Sequence, residues 1–236
     1  LELLTASGRV ADFVSLVDEL PPQDPHAALN RTCLHIRGWR EMAETNPAVA
    51  GQLLNRLLDE ITPAELQDDL RTLVAEGVYR VLQDDEVAVS ILAGIPQPAL
   101  YSGTDGIDCG MGPFWQRFRL NRLRTALGLR VAPEDAVPDT NDPEDRGLVM
   151  FERAVCMLAS MWGRHWRGDA LNEGFADEAR RVLEVFHLHP SNGVRFHVWY
   201  AVHEACSEFC EALIALAHEV GPEALAALRG QFERLW

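Results

Sequence analysis

Apolar positions recur along most of this chain at the three-to-four-residue interval of an α-helix, and prolines standing directly behind capping side chains punctuate the recurrence. Asp24-Pro25, Asn46-Pro47, Thr62-Pro63 and Asp142-Pro143 each open an amphipathic stretch in this way. A proline at the first helical position forfeits no hydrogen bond, and the residue before it is pushed into the extended backbone that an N-cap needs. Gly221-Pro222 opens a further helix similarly, and Thr62-Pro-Ala-Glu65 has the form of a capping box. The periodicity predicts helices over about 8–20, 25–44, 47–61, 63–83, 86–94, 113–128, 143–167, 173–188, 193–219 and 222–235. No stretch alternates with period two for long enough to make a strand, although the run from Val87 to Leu92 is ambiguous, and no repeat period emerges. The expected fold is all-α: a multi-helix bundle of about ten helices with a long Gly-rich loop. It is read as one domain over 1–236, with any internal boundary inside 96–113 or 131–142.

Composition narrows the function classes. With 236 residues, 47% of them hydrophobic, the chain can bury a sizeable core. No apolar run reaches the roughly 18 residues of a membrane span, and the start shows no signal-peptide pattern. All 21 basic residues are arginine, and lysine is absent. A GC-rich genome accounts for this, and the sharper alternative is selection against nucleophilic amines. The formal charge of −15 argues against nucleic acid, whose phosphates need a basic face. Cys33, Cys109, Cys156, Cys206 and Cys210 form no CxxC pair, and reduced thiols in a cytoplasmic protein are expected.

Chemistry concentrates first in the C-terminal third, which holds His187, His189, His197, His203 and His218. His203, Cys206 and Cys210 stand at i, i+3 and i+7 on the 193–219 helix, within an arc of roughly 60°. Imidazole and thiolate on one stripe are three ligands for a soft divalent metal, with a fourth from His187 or His189. The competing explanation is core packing, since free cysteine behaves as a small hydrophobe. A haem would use a related set: His203 or His197 as axial ligand, Trp162 and its neighbours as an aromatic wall, and arginines for the propionates. Over a dozen residues, the spacing His26…His35…Trp39 resembles the distal-histidine helix of the tryptophan 2,3-dioxygenase-like haem proteins. That family's axial-histidine segment has no counterpart in this chain.

The Gly-rich segment between Pro96 and Pro113 is the second locus. Asp105 and Asp108 there are candidates to hold a cation or a substrate amine. The following helix carries Arg117, Arg119, Arg122 and Arg124 with no acid nearby, an anion cradle in one reading and a source of interhelical salt bridges in the other. Neither a Walker motif nor a dinucleotide fingerprint is present.

These features lead to an expected small-molecule-binding all-α enzyme, in one form haem- or metal-dependent, acting on a compact anionic or amino-acid-like substrate. His203 or His197 would be cofactor ligand or general base, His35 a second polar catalytic group, and Arg117 or Arg119 a carboxylate clamp. The alternative is a non-catalytic acidic interaction protein or a ligand-sensing regulatory domain.

Overall fold

The computed structural model describes residues 25–96, 113–129, 143–171, 174–187 and 196–235, together with Ser15. Nine α-helices and no strand occur among them: α1 Pro25–Met42, α2 Pro47–Glu60, α3 Asp68–Gly77, α4 Asp85–Leu92, α5 Pro113–Ala126, α6 Pro143–Trp166, α7 Phe175–His187, α8 Phe196–Val220 and α9 Pro222–Leu235. The protein is therefore all-α. The helix expected over 8–20 lies, apart from Ser15, outside the described residues, as does the 97–112 Gly-rich segment. The chain divides into two compact units, Leu1–Pro96 and Gln97–Trp236.

In the first unit α1 packs on α2 and α3, and α3 on α4. The core is apolar and tight: Trp39, Leu54, Leu57, Leu70 and Leu73 are each 2% exposed or less. Asn46 caps α2 as its sequence predicts, its side-chain oxygen accepting from Val49 N at 3.4 Å, with Pro47 at the first helical position. Thr62 does not behave in the same way. Pro63–Glu65 forms only a 3₁₀ turn, Thr62 makes no side-chain cap bond, and Leu66 and Gln67 are extended before α3 begins at Asp68. The predicted 63–83 helix is thus interrupted. The acidic pair Asp68 and Asp69 supplies the real start, where negative charge suits the helix dipole.

At its other end α3 runs on into a π-helical turn, Val78–Leu82, closed by Gln83 in the left-handed region at φ 56°. Asp84, which the sequence reading passed over, then caps α4 by accepting from Val87 N at 3.0 Å. The ambiguous Val87–Leu92 run is helical. Arg71 closes α4 from outside, one guanidinium nitrogen donating to the carbonyls of Ile91 and Ala93 at 2.8 Å each.

The second unit is organised around α6, which packs on α5, α7 and α8, with α9 against α7 and α8. Phe118, Leu158, Phe175, Leu183, Phe209 and Leu213 meet in its core. The buried stripe of α8 runs through Phe209, Ala212, Leu213, Leu216 and Ala217, while Ile214 is 39% exposed and Cys210 sits half-buried at the edge. α6 ends where Gly168 takes φ 89°, with Gly168 N donating to His165 O and Asp169 N to Arg164 O at 3.0 Å each.

The α5–α6 contact is the closest in this unit. A Cβ at Gly163 would stand 2.5 Å from both the Arg122 carbonyl oxygen and Thr125 Cβ, so only hydrogen fits. Gly163→Ala should therefore lower stability by about 1–3 kcal/mol through overpacking, despite the roughly 1 kcal/mol that alanine gains over glycine within a helix. Gly230→Ala in α9 meets nothing within 4 Å and should instead stabilise. Denaturant midpoints followed by circular dichroism compare the two, and equal stabilisation by both would mean that α5 and α6 are not in contact at Gly163.

Candidate functional site

Four α6 residues, Met157, Ser160, Met161 and Arg164, share one face at helical spacing, and Glu178, Arg181 and Val182 do the same on α7. Between these two faces lies a half-open hollow of about 360 Å³. Met161 and Val182 form its floor, at 2% and 1% exposure. Met157 and Ser160 are half-buried and Arg181 is exposed.

The charges of the hollow are unequal. Arg164 is joined to Glu178 across the two helices by a short ion pair between a guanidinium nitrogen and Oε2, and both side chains are about one-third exposed. Arg181, one turn further along α7, makes no hydrogen bond or ion pair among the described residues. One positive charge is left without a partner, in a chain whose formal charge is −15. The second carboxylate oxygen of Glu178, Oε1, likewise makes no hydrogen bond among the described residues. The hollow thus presents a free guanidinium, a free carboxylate oxygen, a hydroxyl and a thioether-and-aliphatic floor. Its size is within the range of small-ligand pockets, and its lining is mixed, with Ser160, Arg164, Glu178 and Arg181 beside Met157, Met161 and Val182.

Those sequence-predicted residues that are described do not line the hollow. Arg117 is buried against Cys156; burial draws its guanidinium below the ordinary arginine value, and the charge of Cys156 and a hydrogen bond to it oppose that effect. Asn121, one turn along α5 and fully buried, donates to Cys156 Sγ at 3.2 Å. Arg119 is half-buried, and neither it nor Arg117 lines the hollow. Arg122 lies over the rings of Trp166, Phe118 and Trp162, its guanidinium carbon 3.9, 5.2 and 5.5 Å from their centroids. Trp162 is buried, and its Nε1 donates to the Ala212 carbonyl at 2.9 Å, which ties α6 to α8. His35 is buried in α1 of the first unit at 1% exposure. Asp105 and Asp108 lie outside the described residues, and so do the side chains of His197, His203 and Cys206. Among the described residues no group of His, Cys, Asp and Glu is arranged to hold a metal ion.

Sequence reasoning missed Ser160, Arg164 and Glu178. Arg181 was missed as well. Glu178 and Arg181 one turn apart at the start of a helix was the available signal, but its default meaning is an intrahelical ion pair. No protein-family profile, characterised protein or solved structure matches the chain.

Cys33, Cys156 and Cys210 are free thiols. Burial, and then the neighbouring Glu211 carboxylate, pushes the Cys210 thiol above its ordinary value of 9.0. An acid raised on folding lends stability that is fully present below its unfolded value and is lost as pH rises through the folded one. Stability should accordingly fall from about pH 9 upward, and Cys210→Ala should flatten that alkaline limb. Denaturant midpoints across pH 7 to 11 measure it, and parallel limbs would contradict the assignment.

Proposed function

We propose that the chain binds a compact anionic or amino-acid-like small molecule in the α6–α7 hollow, as the substrate of an all-α enzyme or as the signal of a ligand-sensing domain. One observation carries the reading: in a strongly acidic protein, the hollow keeps a guanidinium, that of Arg181, without a partner among the described residues, beside an ion pair that neutralises Arg164. A guanidinium at the edge of an apolar floor is suited to a carboxylate, which it can grip with two parallel hydrogen bonds.

The reading takes the protein to work in the cytoplasm, for which the free thiols Cys33, Cys156 and Cys210 argue, and its partner to be a small molecule rather than nucleic acid. Among the described residues no helix is long and apolar enough to cross a membrane. Haem or a divalent metal enters this reading through His197, His203, Cys206 and Cys210. An absorbance spectrum with elemental analysis of the purified protein tests that part.

The anion site is tested by calorimetric titration of the intact protein with 4-methylpentanoate and with inorganic phosphate. At least one should bind, and Arg181→Gln should weaken it about tenfold, the scale of one charge-assisted hydrogen bond. Arg180→Gln is the control, because Arg180 is paired with Asp177 and Glu184 on the same helix and does not line the hollow. Affinity that is indifferent to Arg181, or no binding of either anion or of a free amino acid, would overturn the reading.

A further inference from the structure

Glu178 and Arg181 are one turn apart on the same face of α7, where opposite charges ordinarily pair with each other. They do not pair here. Arg164 reaches across from α6 and takes Glu178 Oε2 instead. The consequence is a carboxylate and a guanidinium one turn of helix apart on residues that line one small hollow, with neither Glu178 Oε1 nor Arg181 hydrogen-bonded among the described residues. Opposite charges held apart in this way match a ligand that carries both an ammonium and a carboxylate on neighbouring atoms.

A plain carboxylate would satisfy Arg181 and leave Glu178 Oε1 with water. A phosphate would bring two negative charges toward one free cation and an anionic oxygen, and repulsion from Glu178 would oppose it. An amine alone would leave Arg181 unanswered. The floor of Met157, Met161 and Val182 adds a third requirement, because polarizable thioethers and a branched aliphatic favour an apolar side chain.

We infer that the ligand of this hollow is a free α-amino acid with an apolar side chain of leucine or methionine size. Its ammonium is held by Glu178 Oε1, its carboxylate by Arg181, and its side chain by Met157, Met161 and Val182. Arg164 is a positioning residue that holds Glu178 in place. This inference rests on the reading of the hollow as an anion site, and it names the ligand class of that site.

The test is calorimetric titration of the intact chain with L-leucine, 4-methylpentanoate, 3-methylbutylamine and inorganic phosphate. The first three share the same hydrocarbon branch and differ in which charged groups they carry. L-Leucine should bind at least about tenfold more tightly than either the deaminated or the decarboxylated compound, and than phosphate. In Glu178→Gln the preference of L-leucine over 4-methylpentanoate should collapse, while Arg181→Gln should remove its preference over the amine. Should Glu178→Gln fail to fold, the four ligands on the unaltered protein already decide. If 4-methylpentanoate or phosphate binds as well as L-leucine and depends on Arg181, the amino-acid inference is overturned and the anion site stands. If none of the four binds, both fall.

Discussion

At Gly163 the backbones of α5 and α6 approach until a single hydrogen fits between them, and the rest of the C-terminal unit is arranged around that approach. The Arg122 carbonyl lies against Gly163, and the Arg122 side chain folds over Trp166 and Trp162 on the same helix. A guanidinium over aromatic faces is worth about 0.5–2 kcal/mol, more as it is desolvated. Nearby, Asn121 and Arg117 turn their polar ends on Cys156. The basic stretch of α5 is therefore used inside the unit, where a bulkier residue at 163 would separate the partners.

With α5 covering one side of α6, the face bearing Met157, Ser160 and Arg164 is left for α7. The Arg164–Glu178 pair ties those two helices together, and it sits within the hollow rather than in the core. Its partial exposure makes it a weak stabiliser. Its value is geometric, because it decides which oxygen of Glu178 is occupied and leaves Arg181 open.

Much of the fold was legible because proline and its capping neighbour act locally. Asn46 and Pro47 start α2 whatever surrounds them, and Pro143 and Pro222 open α6 and α9 at the expected positions. Thr62-Pro63 shows the limit of that logic. The same local signal lost to Asp68 and Asp69 only five residues on, where the α-helix begins. The hollow was not legible for a different reason. Its residues on α6 and on α7 look like ordinary amphipathic spacing until one knows which faces meet. The arginines of α5 drew attention by being clustered, yet clustering along a chain says nothing about whether an aromatic ring or a thiol already awaits each guanidinium.

Arg71 has an importance beyond its own helix. The end of α4 is closed twice over: Ala93 N and Ile95 N donate to the Ser90 and Leu92 carbonyls, and Arg71 of α3 donates to those of Ile91 and Ala93. A pull on the chain after Ile95 would therefore have to break the bonds of the Arg71 guanidinium as well as the turn's own backbone bonds before it could peel the final turn of α4.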